Sequence, residues 1–451
     1  MDIKEAEIYL NKILDKKNEY GFEDLQATFS GGSSMEISVL NGEVNSYERS
    51  AEQDVSVKGK KNGQVATSGT NEFTDEQIGK VLNAVSENCE LLEDEDEDFI
   101  YCDPENSNLY CSQITDAYKK NTYSRFEKTA LKLEKDILAL DPCIESVDYL
   151  SMSCDRSYSM KLNTKELRAY KDSDFVSIYA GARARKDGVV KTGGHYWYGN
   201  DIDKFDEGEF LKVFGRKLLG KFGASSVKSG TYDVVLGNEA VNSFFNVFMS
   251  NFSSYAMLKG LSLLAGKEGE MIASEALSLK EEPMYEKAIK KVPFDYEGVA
   301  TTSKYIIEKG RFNTAFYNLK TANMCGKKST GNGFAGGLSC SNMIIEEGTK
   351  NFAELLKTVG NGLYITELNG LHAGVNTMSG DFSLFCEGYL IENGELKRPV
   401  EQITISDNYF EVLKKISDVG NDTISTPDTV GEFFTPSVII REVSIAGKDE
   451  E

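Results

Sequence analysis

The two histidines of the chain limit the chemistry that it can perform. His195 lies in TGGHYWYG and His372 in GLHAGV, far apart in the sequence. A helix that binds zinc through two histidines needs both of them within one or two turns. Such a helix is therefore impossible in this chain. A Ser or Cys nucleophile could still use either histidine as a base, but the sequence alone gives no geometry for such a pair.

His372 has the more informative surroundings. It begins a stretch rich in glycine, GLHAGVNTMSGDFSLFCEGYLIENG, and glycine lets the backbone turn sharply or approach a ligand closely. His195 stands beside Trp197, the only tryptophan, which favours a structural histidine. The stretch around His372 is either a binding site or a set of tight turns in a β-rich wall.

A second glycine-rich segment, KKSTGNGFAGGLS, includes Gly331, Asn332 and Gly333. Bare backbone amides can bind phosphate, but the order GxxxxGK[ST] is absent. An extended peptide, which also pairs with backbone amides and carbonyls, fits such a segment at least as well.

Composition excludes some partners. The 451 residues include 50 Lys and Arg and 72 Asp and Glu, for a net charge of −22. This field repels phosphate backbones and anionic lipids, so nucleic acid and membranes are not expected partners. No apolar run reaches the roughly 20 residues that cross a bilayer, and the N-terminus lacks a signal-peptide pattern. The eight cysteines form no CxxC pair, which suits a reducing, cytoplasmic location.

The order of patterns predicts an α+β protein with three domains. Residues 1–105 form an α+β domain, with hairpin turns at Asn41-Gly42 and Asn62-Gly63 and a boundary at the carboxylate run Glu90–Asp98. Residues 106–224 form a middle domain, helical at first and then a meander of short strands. Residues 225–451 form a β-rich C-terminal domain.

One helix in the C-terminal domain is predicted to be buried or to lie in an interface. The segment GNEAVNSFFNVFMSNFSSYAMLKG carries an aromatic stripe at helical spacing, and its other faces are apolar too. Asn238 can cap it and Gly260 can end it. The stripe consists of Phe244, Phe248, Phe252 and Tyr255.

Several segments together resemble the TldD/PmbA family, specifically its PmbA (TldE) branch. They are FDYEGVAT, KKSTGNGFAGG, the stretch around His372, and TPSVIIREVSIAG, and they extend over most of residues 230–447. The resemblance implies an intracellular metalloprotease system of two subunits, which encloses a cavity for unfolded peptides. Older names call these proteins modulators of DNA gyrase. TldD-type chains carry HExxxH and a later cysteine as zinc ligands, and PmbA-type chains pair with them.

Aligning this chain with the family places its two zinc histidines at Phe245 and Ser250, its catalytic glutamate at Asn246 and its cysteine ligand near Asp422. All four functions are absent, so we expect no cofactor here and zinc only in a TldD-type partner. The resemblance also places the stretch around His372 near the cavity. It makes Glu367, His372, Asn376 and Asp381 candidates for peptide or partner contact; alternatively, they satisfy the backbone groups of tight turns.

We therefore expect a non-catalytic partner subunit that acts in the proteolysis of unfolded peptides. Whether the chain is itself an enzyme stays open. One alternative is a stand-alone homodimer that binds peptides without catalysis, and a solution mass measurement would distinguish it. Another is a hydrolase with an unorthodox site at His372, which would show chelator-insensitive activity by itself.

Overall fold

The computed structural model describes residues 2–92, 98–101, 103–334 and 337–448. The chain divides into two compact units, Met1–Phe222 with Glu297–Ala300, and Gly223–Tyr296 with Thr301–Glu451. Both contain helices and sheets, which confirms the predicted α+β class. Residues 93–97 of the carboxylate run lie outside the described residues. No helix in the described part of the chain has the length and apolar composition needed to cross a bilayer.

The first unit is built on one sheet of seven strands in the order β3-β2-β1-β5-β6-β4, with β7 paired to β6. Its strands are β1 Asp24–Leu40, β2 Glu43–Lys61, β3 Gln64–Thr70, β4 Asn108–Ser112, β5 Ile144–Asn163, β6 Arg168–Lys186 and β7 Val189–Gly199. Its helices are α1 Ile3–Leu14, α2 Asp75–Glu90, α3 Tyr123–Leu138 and α4 Glu207–Leu219. The predicted boundary at residue 105 falls between strands of this one sheet.

The predicted hairpin turns are confirmed. Asn41 and Gly42 have φ angles of 56° and 79°, and Asn62 and Gly63 have 54° and 79°. Positive φ at both central residues matches the right-handed twist of the paired strands, so these turns fix the registers of β1 with β2 and of β2 with β3.

The predicted meander is present, since β5, β6 and β7 pair antiparallel in chain order, but its first two strands are not short. β5 and β6 have 20 and 19 residues. Their inward faces carry two apolar cores, one under α1 and α2 and one under α3 and α4. On β5, Arg156 lies between Cys154 of the second core and Tyr158, which packs against the first. β4 also lies in a segment that we expected to be helical.

The second unit contains two six-stranded sheets, ordered β11-β10-β9-β12-β18-β17 and β15-β14-β13-β8-β19-β16. Because β15 also pairs with β19, strands β8, β13, β14, β15 and β19 close into a ring. The strands are β8 Gly230–Leu236, β9 Leu279–Glu281, β10 Lys304–Glu308, β11 Arg311–Phe312, β12 Met343–Ile345, β13 Gly362–Asn369, β14 Asp381–Glu392, β15 Glu395–Asn408, β16 Ile416–Val419, β17 Ile424–Pro427, β18 Glu432–Thr435 and β19 Val438–Ala446. The helices are α5 Asn238–Phe248, α6 Ser254–Leu258, α7 Leu319–Met324, α8 Phe352–Val359 and α9 Tyr409–Lys415.

The helix α5 occupies the core of the second unit, as its aromatic pattern predicts. Phe248 stacks on Tyr409 with ring centres 4.2 Å apart, and Phe244 lies edge-on to Phe382 at 5.0 Å. Two details of the prediction are wrong. Gly237, not Asn238, is the N-cap, and the helix ends at Phe248, so that the last member of the predicted stripe, Tyr255, is exposed on α6.

Candidate functional site

Two of the three residues at the family's zinc-helix positions lie on α5, and Ser250 lies in the 3-10 turn Met249–Phe252 that follows it. Phe245 is 1 % exposed and lies edge-on to Phe244 and Tyr409, with ring centres 6.1 and 6.2 Å away. Asn246 and Ser250 are exposed. The first position therefore belongs to the core, and the three side chains do not meet at one point.

Asp422, at the position of the family's cysteine ligand, is engaged with its own unit. Its carboxylate accepts hydrogen bonds from the backbone N–H of Ser437 at 2.9 Å and from the hydroxyl of that residue at 2.6 Å. Its backbone carbonyl accepts one from Asn238 Nδ2 at 2.9 Å. These bonds fasten the chain before β17 to the start of α5 and to the segment between β18 and β19.

This set of residues does not fit a zinc site. A buried phenyl ring offers no lone pair to a metal, and an amide and a neutral hydroxyl are poor substitutes for imidazole and carboxylate. Within residues 2–92, 98–101, 103–334 and 337–448, no three or more His, Cys, Asp or Glu side chains are grouped so that they could hold a metal ion.

The stretch around His372 forms the connection between β13 and β14. Gly370 has a φ of 84°, and the N–H of Gly374 donates to the Gly370 carbonyl at 2.8 Å to close the first turn. Gly380 has a φ of 85°, and a Cβ there would lie 2.7 Å from the ring of Phe410. Glycine is needed at both ends of the connection, since positive φ strains other residues.

Two of the four predicted contact residues hold this connection together. The Asn376 side-chain oxygen accepts from the N–H groups of Met378 and Ser379 at 3.1 and 3.2 Å, and its own N–H donates to the Asp381 carbonyl at 2.8 Å. The Asp381 carboxylate accepts from Asn408 Nδ2 at 2.9 Å and from the Ser379 hydroxyl at 2.8 Å. These hydrogen bonds lower the pKa of Asp381, and the bond from Asn408 has the largest effect.

The other two residues are differently placed. His372 is exposed in the first turn of the connection. Glu367 is exposed near the end of β13 and lies opposite Glu387 on β14. The structure therefore brings Asn376 and Asp381 together as a turn-stabilising pair, while Glu367 and His372 stand apart from that pair. All four side chains are exposed and could therefore contact a ligand. Their ligand-contact role stays a prediction.

The glycine-rich segment KKSTGNGFAGGLS donates hydrogen bonds to carboxylates of the protein itself. The Gly333 N–H donates to Asp295 at 2.9 Å, and Asn332 Nδ2 donates to both carboxylate oxygens of Glu281. Asp295, Glu281 and Asn332 have no exposed surface. The Gly333 N–H and the Asn332 side-chain amide are thus bound within the protein and are not presented to an external phosphate. Ala335 and Gly336 lie outside the described residues.

Sequence reasoning missed Glu281 as the centre of this network. It stands in the polar run LKEEP, and its partners come from β10 and from residues 332 and 341. No local pattern marks such a residue, because the partners are far away in the sequence. His195 packs against Phe210 of α4 with ring centres 4.9 Å apart, in keeping with a structural histidine.

Comparison with known proteins identifies the family. The model of the PmbA/TldA metallopeptidase C-terminal domain matches residues 229–447, and that of PmbA/TldA metallopeptidase domain 1 matches residues 27–89. Metalloprotease PmbA of Escherichia coli O157:H7 is 29% identical over 266 residues, which are 59% of this chain and 57% of that protein. A metalloprotease PmbA homolog of Buchnera aphidicola is 27% identical over 282 residues, 62% of this chain and 61% of the relative. The alignments thus span about three fifths of these curated relatives.

Solved structures of similar proteins share the fold of this chain over nearly its whole length. A proposed modulator of a DNA gyrase from Thermotoga maritima has a TM-score of 0.90 at 28% identity, covering 98% of this chain and 100% of that one. TldE from Thermococcus kodakarensis has a TM-score of 0.87 at 21% identity, covering 97% and 100%, and shows the shared fold. The chain belongs to the PmbA/TldD family of metallopeptidase-related proteins.

Proposed function

We propose that this chain is the non-catalytic subunit of a two-subunit metalloprotease that degrades unfolded peptides in the cytoplasm. A second, TldD-type subunit supplies the zinc and the general base. The observation that carries the proposal is that Phe245 on α5 is buried in the core, while Asn246 on α5 and Ser250 just after it are exposed.

The chemical argument concerns what hydrolysis requires. A zinc peptidase holds its metal through several strong donors and activates the bound water with a carboxylate base. The three zinc-helix positions of this chain offer a phenyl ring, an amide and a hydroxyl. A single substitution would not restore the zinc site. In this proposal a different subunit therefore binds the zinc and carries out the hydrolysis.

The connection between β13 and β14 is the proposed contact region of this subunit. Glu367, His372, Asn376 and Asp381 are exposed on or beside it, and its turns are fixed by internal hydrogen bonds. A preformed surface of this kind binds an extended peptide or a partner chain with a smaller loss of conformational entropy.

Reconstitution tests the proposal. The chain is mixed with a TldD-type subunit from the same source that carries HExxxH, and hydrolysis of a fluorogenic unfolded peptide is followed with and without a chelator. We expect chelator-sensitive hydrolysis by the mixture only. The control is the same mixture with the glutamate of HExxxH in the TldD-type subunit replaced by Gln.

Three results would contradict the proposal. The first is failure of the two chains to associate. The second is chelator-insensitive hydrolysis by this chain alone, lost in His372→Ala, which would favour a hydrolase with an unorthodox site. The third is a stable homodimer that binds peptides and ignores the TldD-type subunit, which would favour a stand-alone binding protein.

A further inference from the structure

The chain that follows α5 exposes a group of large apolar side chains. On α6, Tyr255 and Leu258 are 55% and 44% exposed, and in the next stretch Leu261 and Leu263 are 46% and 53% exposed. Met271, a little further along the chain, is 48% exposed. These five residues are called the apolar ridge below.

Local structure holds the first four side chains outward. Tyr255 and Leu258 are three residues apart and share one face of α6. After α6, burial alternates, with Ser262 and Leu264 inward and Leu261 and Leu263 outward. The Ser262 hydroxyl donates to the Asn251 carbonyl at 2.7 Å. Because the inward residues are anchored in this way, the exposure belongs to the fold.

The size of the ridge falls in the range of apolar patches that are often functional. Five large side chains that are each about half exposed present on the order of 400 Å² of apolar surface. An exposed patch of this size on a monomer is often functional. A standard interface covers about 800 Å² per partner, so the ridge matches the apolar centre of such an interface.

The charges at the ridge indicate what kind of partner covers it. Lys259 and Lys267 are exposed, and the Lys259 ammonium lies 5.7 Å from the ring centre of Tyr255, which belongs to the ridge. Glu268 is neutralised by its bond to Lys327, and Glu270 is an exposed acid in the same segment. The ridge therefore has a slight positive excess on a chain whose net charge is −22.

A two-fold contact with a second copy would place the same surface on both sides. It would bring the lysines of two ridges near each other and gain nothing from the acidic remainder of the chain. A different subunit with carboxylates around an apolar surface would gain both apolar burial and charge complementarity.

We infer that the apolar ridge is the docking surface for a different protein subunit, whose matching surface is apolar at its centre and acidic at its rim. The inference rests on the proposed function for the existence of such a subunit, and it adds the surface and the chemistry through which the two chains meet.

Single charge substitutions in the 451-residue chain test the inference. Leu263→Asp places a carboxylate in the centre of the ridge, and Leu396→Asp, on β15, makes the same change at a residue that is 37% exposed. Association with the HExxxH-bearing subunit is measured by calorimetry, with circular dichroism to establish that each variant is folded. We expect Leu263→Asp to weaken association about 30-fold or more and Leu396→Asp to leave it unchanged. Lys259→Glu with Lys267→Glu should weaken it about fivefold, with less dependence on salt.

The outcomes separate the two proposals. If the wild-type chains associate and the folded Leu263→Asp variant associates equally well, the ridge inference is wrong and the proposed function stands. If the wild-type chains do not associate, both are wrong. If Leu263→Asp instead disperses an oligomer of this chain alone and leaves the mixed complex intact, the ridge is a self-association surface and the inference is overturned.

Discussion

Asn332 donates its side-chain amide to both carboxylate oxygens of Glu281, at 2.9 and 3.0 Å, and neither residue has exposed surface. The same carboxylate accepts from the backbone and hydroxyl of Ser341 at 2.6 and 2.7 Å and pairs with Lys304 at 2.6 Å. A buried carboxylate is stable only with such a set of partners. The glycines on either side of Asn332 thus allow the backbone to place the Asn332 side-chain amide against the buried carboxylate of Glu281.

Replacing Asn332 should destabilise the second unit. Asn332→Asp sets a second carboxylate against Glu281, and we expect the free energy of unfolding to fall by about 3–5 kcal/mol. Asn332→Leu removes the amide but adds no charge, and we expect a loss of about 1–3 kcal/mol. Urea unfolding followed by far-ultraviolet circular dichroism measures both. Asn421→Asp, the same change at an exposed residue, is the control; equal midpoints for the two Asp variants would show that the network contributes little.

The zinc-helix positions can be tested by restoring the family's residues. Phe245→His should lower the free energy of unfolding by about 2–4 kcal/mol, because it removes phenyl packing and buries an imidazole without a hydrogen-bond partner. Asn246→Glu, at an exposed position, should change it by less than about 0.5 kcal/mol. Elemental analysis of the triple variant with Ser250→His should find less than one zinc per chain. Stoichiometric zinc in a folded triple variant would refute our account of α5.

Patterns that depend on local chemistry could be predicted from the sequence. The Asn-Gly turns at residues 41 and 62 and the buried helix α5 follow from backbone preference and apolar spacing, and both are present. The residue types at the family's zinc-helix positions, which include no histidine, could also be taken directly from the sequence. What the sequence left open was the direction in which each position points.

Features that depend on distant partners could not be predicted. β5 was expected to be short, yet it continues through Arg156, which lies between two cores that different helix pairs cover. Glu281 resembles an ordinary surface acid until Asn332 and Ser341 are folded against it. The exposed position of Tyr255 depends on where α5 ends, and apolar spacing does not specify that point.

The hydrogen bonds to Asp381 make a prediction about its titration. The amide of Asn408 and the hydroxyl of Ser379 lower the pKa of Asp381. A lowered folded-state pKa contributes stability above the ordinary carboxyl value of about 3.9, and this contribution is lost as the pH falls from there through the folded-state pKa. Asn408→Ser keeps a capping hydroxyl for α9 but removes the amide donor, so we expect the pKa of Asp381 to rise.

Carbon-13 NMR of labelled aspartate carboxyls measures this rise. Ser383→Ala is the matched control, because it removes a neighbouring hydroxyl that bonds Ser406 and not Asp381. An unchanged Asp381 titration in Asn408→Ser would mean that the Asn408 bond does not set its pKa.

Two alanine variants distinguish contact from support in the β13–β14 connection. His372 is exposed, so His372→Ala should change the free energy of unfolding by less than about 0.5 kcal/mol while weakening peptide binding by the assembled protein about fivefold. Asn376→Ala removes an acceptor for two backbone N–H groups and should lower stability by about 1 kcal/mol. Urea unfolding and the anisotropy of a labelled unfolded peptide measure the two effects. If His372→Ala binds peptide as tightly as the wild type, His372 has no contact role there, and the glycine-rich connection serves to turn the chain.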